Sequence, residues 1–271
     1  MHDGLGLGAV FPYLEEAAKR NWSVIVLNPN QHHVLVSGND NGLAGQADGG
    51  SKGPAPQEVI EAIQAMGFTE NAAHRACLAT CSVDVEDCGN YVFSCLEGPL
   101  AEEINTPLSE QEMASRVLPV PQNSNAVDHL QYVWDHLVVP SAARNVVIAG
   151  TSFAGFAVAR LLDNKGADGV IERGLKAIAL GDSSHFIDCK PEGVNSSTAT
   201  ALSSLARNWV TSEEPVDTPH LVEPVRMHIS CVSSSTKDHG KVPGTILRSV
   251  FQFFDEKLAL LPCKASLVSE M

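Results

Sequence analysis

Residues 146–160, VVIAGTSFAGFAVAR, constrain the fold of this chain more than any other stretch. The apolar run at 146–149 predicts a buried strand, and the residues from Phe156 onward predict a helix. Between them, small residues at positions 150, 154 and 155 allow the strand and helix backbones to approach closely. The stretch therefore predicts a strand, a tight turn and a helix, with Ser152 at the bend. A serine there is either a nucleophile on a sharp turn or the N-cap of the helix.

The same alternation of strand and helix patterns continues along the chain and predicts an α/β fold. The pattern indicates a mostly parallel sheet covered on both faces. The predicted strands are 22–27, 146–149, 175–180 and 225–232, and the predicted helices are 13–20, 125–139, 156–162, 200–210 and 250–260.

Two polar stretches interrupt this alternation and predict a discontinuous domain. Residues 37–56 are rich in Gly, Asn, Asp and Pro, and residues 98–124 in Pro and acidic residues, as is typical of linkers. Between them, residues 57–97 predict three short helices. We therefore expect an outer α/β domain formed by residues 1–36 and 125–262, with a linker, a small helical bundle and a second linker inserted into it.

Composition and charge exclude several classes of function. The formal net charge is -14, and no cluster of five or more Lys and Arg residues is present, which argues against direct nucleic-acid binding. No apolar run approaches the ~20 residues of a membrane span, and the N-terminus does not have the pattern of a signal peptide. The seven cysteines of this long chain, an odd number, indicate a reducing, intracellular compartment. No motif predicts a cofactor.

The predicted bundle carries the motifs IQAMGFTENAAHRACLAT and VDVEDCGNYVF. These resemble the ubiquitin-associated (UBA) domain family in its Met-Gly-Phe loop, its Asn-Ala-Ala segment and its acidic third helix. The resemblance covers residues 57–96 and implies binding of ubiquitin or ubiquitylated proteins. The residues it places on the ubiquitin-binding surface are Met66, Gly67, Phe68, Val92 and Phe93. Closure of the bundle's own small core is the alternative role for Met66 and Phe68.

Four cysteines lie within the same region and raise the question of a zinc site. Their spacings include no Cys-x-x-Cys pair, and three of them fall at core positions of predicted helices, where cysteine acts as a small apolar side chain. We therefore predict no metal site at Cys77, Cys81, Cys88 and Cys95.

The outer domain contains a candidate catalytic triad. Ser152 follows one predicted strand, Asp182 follows the next, and His239 precedes the last predicted helix. This is the chain order of the triad in α/β-hydrolases. Asp217 is a second candidate acid and His185 a second candidate base.

Several stretches of the outer domain resemble the Arb2 domain family, which includes argonaute-binding proteins, FAM172 proteins and the tails of some fungal histone deacetylases. The motifs that carry the resemblance are FPYLEEAAKRNWSVIVLNPN, LQYVWDHLV, NVVIAGTSFAGFAVARLL, KAIALGDSSH and RNWVTSEEPVDT. The resemblance implies an α/β-hydrolase fold with its serine at Ser152. It also implies a nuclear or cytoplasmic protein linked to small-RNA-directed silencing and heterochromatin, with an argonaute-type or chromatin protein as partner.

One departure from the family bears on catalysis. Members carry a strand and a Gly-Ser-Gly-type loop ahead of the LPY-like helix, and that loop would donate an oxyanion hole. This chain begins with MHDGLGLGAVF, so we expect the segment to be missing and only the N–H of Phe153 to remain as donor. Loss of one donor costs about 2.7–4 kcal/mol of transition-state stabilisation. Either Met1 is not the true start, or the fold has become a binding platform.

The sequence therefore supports two functions. The favoured one is a ubiquitin-binding adaptor without catalysis. The alternative is a serine hydrolase for an ester or thioester, with Ser152 as nucleophile, His239 as base and Asp182 as the orienting acid.

Overall fold

The computed structural model describes residues 10–36, 53–96, 103–183, 196–220 and 229–259. The helices of these residues are α1 (Phe11–Lys19), α2 (Gln57–Ala65), α3 (Glu70–Thr80), α4 (Val85–Ser94), α5 (Glu110–Ala114), α6 (Ala126–Val133), α7 (Ala154–Lys165), α8 (Ala167–Arg173), α9 (Ser196–Leu205) and α10 (Val242–Ala259). The strands are β1 (His33–Val36), β2 (Arg116–Pro119), β3 (Val146–Thr151), β4 (Leu175–Gly181), β5 (Ala206–Val210) and β6 (Ser230–Ser233). None of the described helices combines the length and apolar character needed to cross a bilayer.

The chain divides into two compact units, one formed by residues 1–27 and 126–271 and the other by residues 28–125. The first is a mixed α/β unit whose sheet has the order β3-β4-β5-β6, with every neighbouring pair parallel. The predicted fold class is thus confirmed at the level of a parallel α/β sheet, an architecture compatible with α/β-hydrolases.

Both faces of this sheet are covered, as parallel strands require. Successive side chains of a strand point to opposite faces, so alternate residues of β4 belong to two different cores, one on each face of the sheet. Ile178 and Leu180 pack on one face with α7 and α9 residues such as Leu161 and Leu202. The other face carries the small Ala177 and Ala179, and there the aromatic residues of α10 form the core, Phe251, Phe253 and Phe254.

Two predictions for this unit are wrong. Residues 22–27 form no strand, and Val24, Ile25 and Val26 are exposed. An apolar run alone does not make a strand, since a strand also needs hydrogen-bonded neighbours. Residues 200–210 are not one helix, because α9 ends at Leu205 and β5 begins at Ala206. No Gly or Pro lies at this junction, so the sequence pattern does not predict that the helix ends there.

The second unit contains the predicted three helices, α2 to α4, around a core that includes Val59, Ile63 and Cys77. Thr69 caps α3, because its hydroxyl accepts a hydrogen bond from Ala72 N–H at 3.2 Å. Gly67 has a φ of 95°, a backbone conformation that favours glycine in the turn between α2 and α3.

This unit also contains ordered elements that were predicted as linker. Within 98–124 lie a 3-10 turn at Glu103–Asn105, helix α5 and strand β2. The turn packs on the bundle, because Ile104 is buried in its core and Asn105 accepts a hydrogen bond from Thr69. Strand β1 pairs antiparallel with β2, so residues 28–36 belong to this unit rather than to the α/β unit. Residues 37–52 of the other predicted linker lie outside the described residues.

Candidate functional site

Ser152 lies on the sharp turn between β3 and α7. Its φ is 56°, in the left-handed region that non-glycine residues seldom adopt, and its side chain is exposed. The turn is possible because Gly150 has no side chain: a Cβ there would lie 2.4 Å from the Cβ of Ala154. The small residues of the motif thus allow the backbones of β3 and α7 to approach closely, as the sequence predicted. The Ser152 side chain makes no N-cap hydrogen bond to α7, whose N-cap is Phe153.

Asp182 and His239 meet at this end of the sheet. Asp182 follows β4 and His239 follows β6 in a short 3-10 turn, and Asp182 Oδ2 lies 2.6 Å from His239 Nδ1. The side chain of His239 is 53% exposed and that of Asp182 24%. An acid bonded to Nδ1 leaves Nε2 of the imidazole available to a nucleophile, which is the arrangement of a triad.

The other oxygen of Asp182 is held by Thr211, which the sequence did not single out. Asp182 Oδ1 accepts hydrogen bonds from Thr211 N–H and from its hydroxyl, both at 3.2 Å. Thr211 follows β5 just as Asp182 follows β4, and carboxyl ends of parallel strands meet at one edge of a sheet. A strand that ends just before Thr211 would have indicated this position, but the sequence pattern predicts a helix over residues 200–210.

The third contact of a triad, between Ser152 Oγ and His239, is not among the hydrogen bonds of the described ranges. The side chains of Ser152 and His239 are both exposed. Catalytic hydrogen bonds are often long or unmade without substrate.

The alternative acid has a structural role. Asp217 accepts hydrogen bonds from Trp209 Nε1 at 2.8 Å and from the Ser249 hydroxyl at 2.6 Å. These bonds tie the loop after β5 to the buried indole and to α10. Asp217 is therefore not paired with His239. The alternative base, His185, lies outside the described residues.

The candidate ubiquitin-binding residues lie on the bundle of the other unit. Met66 is 42% exposed and Phe93 52%, and Phe68 packs edge-on against Phe93 with ring centroids 5.3 Å apart. Nothing lies within 4 Å of a Cβ placed on Gly67. Val92 does not belong to this surface, because it is fully buried in the bundle core.

A shallow groove runs beside Met66 and Phe93. Its lining includes the apolar Val83 and Val85 and three carboxylates, Glu58, Asp84 and Glu86. The groove therefore combines apolar and acidic groups, which suits an apolar patch that is flanked by basic groups.

The bundle cysteines pack as apolar side chains. Cys77, Cys88 and Cys95 are buried, and the Sγ atoms of Cys77 and Cys88 lie 3.6 Å apart. Within the described residues, no three His, Cys, Asp or Glu side chains are grouped as metal ligands.

The model of the Arb2 domain matches residues 1–216, most of the chain. The chain belongs to the Arb2 domain family. No solved structure matches.

Curated relatives are similar to this Arb2 protein over nearly all of its length or over part of it. The cotranscriptional regulator ARB2A homolog of Xenopus tropicalis is 26% identical over 258 residues, 95% of this chain and 53% of the relative. Human cotranscriptional regulator ARB2A is 25% identical over 256 residues, 94% of this chain and 53% of the relative. The Dictyostelium discoideum homolog is 35% identical over 97 residues, 36% of this chain and 24% of the relative. The chain thus spans about half the length of the first two.

Proposed function

We propose that this Arb2 protein is a regulatory adaptor of the nucleus whose bundle binds ubiquitin or a ubiquitylated protein. The nuclear, regulatory part is supported by the relatives, which are named cotranscriptional regulators. An argonaute-type or chromatin protein is the partner class for the α/β unit.

The observation that carries the ubiquitin part is the exposure of Met66 and Phe93 side by side with Phe68. Two large apolar side chains exposed on so small a bundle cost solubility unless a partner covers them. Methionine suits a shallow contact because its flexible thioether adapts to the facing surface. The carboxylates beside the groove would pair with basic groups around the partner's apolar patch.

Titration of isotope-labelled ubiquitin with the full chain, followed by NMR, tests this function. We expect shifts confined to one apolar patch of ubiquitin, and Phe93→Ala should weaken binding about tenfold or more, since exposed aromatic anchors dominate such contacts. Tyr132→Ala is the matched control, because Tyr132 is an exposed aromatic residue outside the bundle. Absence of shifts at millimolar concentration would refute ubiquitin binding.

A serine hydrolase is the second candidate, favoured by the 2.6 Å contact between Asp182 and His239 beside the strained turn of Ser152. In this reaction, Ser152 Oγ attacks the carbonyl carbon of an ester or thioester while His239 Nε2 takes its proton. Asp182 stabilises the resulting imidazolium through Nδ1–H. His239 then donates this proton to the leaving group, which departs as an alcohol or thiol, and water hydrolyses the acyl-serine.

Labelling with a fluorophosphonate probe tests the hydrolase. We expect one modified residue, Ser152, with no labelling of Ser152→Ala and labelling of His239→Ala slowed on the order of 10²–10⁴-fold, the usual contribution of a general base. Ser141→Ala is the control, because Ser141 is another exposed serine in a turn of the same unit. A wild-type chain that the probe never modifies would exclude the hydrolase.

A further inference from the structure

The turn that carries Ser152 is fastened to the end of β4 by one buried hydroxyl. Ser183 is 8% exposed, and its Oγ donates a hydrogen bond to the backbone carbonyl of Ser152 at 2.5 Å. The same Oγ accepts a hydrogen bond from the N–H of Gly155 at 2.8 Å. Ser183 therefore bonds two backbone groups of the turn, the carbonyl of Ser152 and the N–H of Gly155 in the first turn of α7.

Ser183 is in turn fixed by Asn208 of β5. Asn208 is fully buried, its Oδ1 accepts from Ser183 N–H at 3.1 Å, and its Nδ2 donates to the Ser183 carbonyl at 3.2 Å. A primary amide that bonds both backbone groups of one residue leaves that residue little freedom. The β3 turn, the end of β4 and β5 are thereby joined through Ser183.

The residues on either side of this junction are strained. Ser152 and Asp182 have φ values of 56° and 42°, and a non-glycine residue holds such a conformation only where neighbouring bonds enforce it. Asp182 is bonded through its carboxylate to His239 and precedes Ser183 directly in the chain. The backbone of Ser183 thus sets the position of the acid, and its hydroxyl sets the position of the nucleophile.

We propose that Ser183 is the positioning residue of the candidate triad, with Asn208 supporting it, and this rests on the hydrolase function proposed above. Ser183 takes no part in the reaction. Its hydroxyl fixes the direction in which Ser152 Oγ leaves the turn, relative to an imidazole that Asp182 holds. A nucleophile displaced by about 1 Å loses roughly 100-fold in rate, so the expected effect is on the rate of attack and not on probe binding.

The test measures fluorophosphonate labelling of the full chain as a function of probe concentration. In Ser183→Ala the maximal labelling rate should fall about 10- to 100-fold, while the probe concentration that gives half of that rate stays unchanged. Ser183→Thr keeps the hydroxyl and should recover most of the rate. Ser249→Ala is the matched control, because Ser249 is also 8% exposed and its hydroxyl bonds only Asp217.

A second measurement follows the hydrogen bond itself. The N–H of Gly155 lies in the first turn of α7, where no helical carbonyl can accept it, so its slow exchange with solvent depends on Ser183 Oγ. Exchange at Gly155 should accelerate in Ser183→Ala and stay slow in Ser249→Ala.

The outcomes separate the two proposals. A wild-type chain that is never labelled removes the hydrolase function and the positioning role with it. If the wild type is labelled, and Ser183→Ala reacts at the wild-type rate or Gly155 exchanges no faster, the hydrolase stands and the positioning role is wrong. A lower rate in both Ser183→Ala and Ser249→Ala would also overturn it, since the loss would then reflect general destabilisation.

Discussion

Ser152 and Asp182 show what single residues contribute to this site. Each has a left-handed backbone at the end of a parallel strand, and such conformations cost about 1–3 kcal/mol each. The cost is offset by bonds that only this fold provides: Asp182 N–H donates to the carbonyl of Trp209, and Ser152 N–H to that of Gly181. Backbone bonds of neighbouring strands thus hold both residues at two adjacent strand ends.

His74 is a second residue whose environment has a measurable consequence. It is 1% exposed in the bundle, its Nδ1 accepts a hydrogen bond from Ala55 N–H at 3.1 Å, and a Cβ on Gly53 would lie 2.4 Å from its Cε1. Burial lowers the pKa of His74 below its ordinary value of 6.5, against an opposing effect of Glu70. The imidazole is therefore neutral in the folded bundle near neutral pH.

We predict a pH-dependent stability from this burial. Because the pKa is lowered by folding, the unfolded chain binds a proton first as the pH falls, so the contribution of His74 is complete above pH 6.5 and is lost below it. Urea denaturation from pH 7.5 to 5 should show the free energy of unfolding falling. His74→Gln should flatten this dependence. His136→Gln, at an exposed histidine, should leave it unchanged, and an equal pH dependence in His74→Gln would contradict the prediction.

At the scale of elements, β4 is the central support of the α/β unit. It pairs with β3 on one side and β5 on the other, and all its residues except Lys176 are buried. Its carboxyl end carries Asp182 and Ser183. A change that destabilises β4 therefore affects the packing on both faces of the sheet and the candidate site as well.

Truncation of one β4 side chain should reveal this. Leu180 is fully buried in the core shared with α7 and α9, so Leu180→Ala should lower the free energy of unfolding by about 2–5 kcal/mol through lost burial and a cavity. Leu137→Ala is the control, because Leu137 is 48% exposed, and it should cost no more than about 0.5 kcal/mol. Urea denaturation measures both. Equal losses in the two variants would contradict the central role of β4.

The wrongly predicted elements have a common cause. The α9–β5 junction between Leu205 and Ala206 contains no Gly or Pro, and Ala206 has a good helix propensity. The pairing of β5 with β4 and β6 overrides that propensity, because it buries Asn208 and Trp209 within the sheet. Residues 22–27 show the converse: their apolar pattern finds no ladder partner among the described residues, and Val24, Ile25 and Val26 stay exposed.

At the level of the whole molecule, the chain contains two compact units, each of which carries one of the proposed sites. The unit of residues 28–125 presents the apolar surface around Met66 and Phe93, and the α/β unit presents the ends of its strands. The two proposed functions use different units and different chemistry. Phe93→Ala and Ser152→Ala therefore separate them in one full-length protein.

The parallel α/β class, the three short helices, the turn at Ser152 and the Arb2 family could all be predicted from the sequence alone. These follow from local signals, namely period, caps and small residues, and from motifs that span a few residues. The sequence also predicted the order Ser152, Asp182, His239 at strand ends, because the carboxyl ends of parallel strands share one edge of the sheet.

Which side chains contact each other could not be predicted and depends on the three-dimensional fold. In the folded chain, Asp182 pairs with His239, and Asp217 is hydrogen-bonded to Trp209 and Ser249. Val92 is buried, and Ser183, itself bonded to Asn208, contacts the turn at Ser152. Each of these contacts joins segments distant in sequence and depends on register and helix packing. No local pattern contains that information, because the same side chain is catalytic, structural or buried according to the neighbours that the fold supplies.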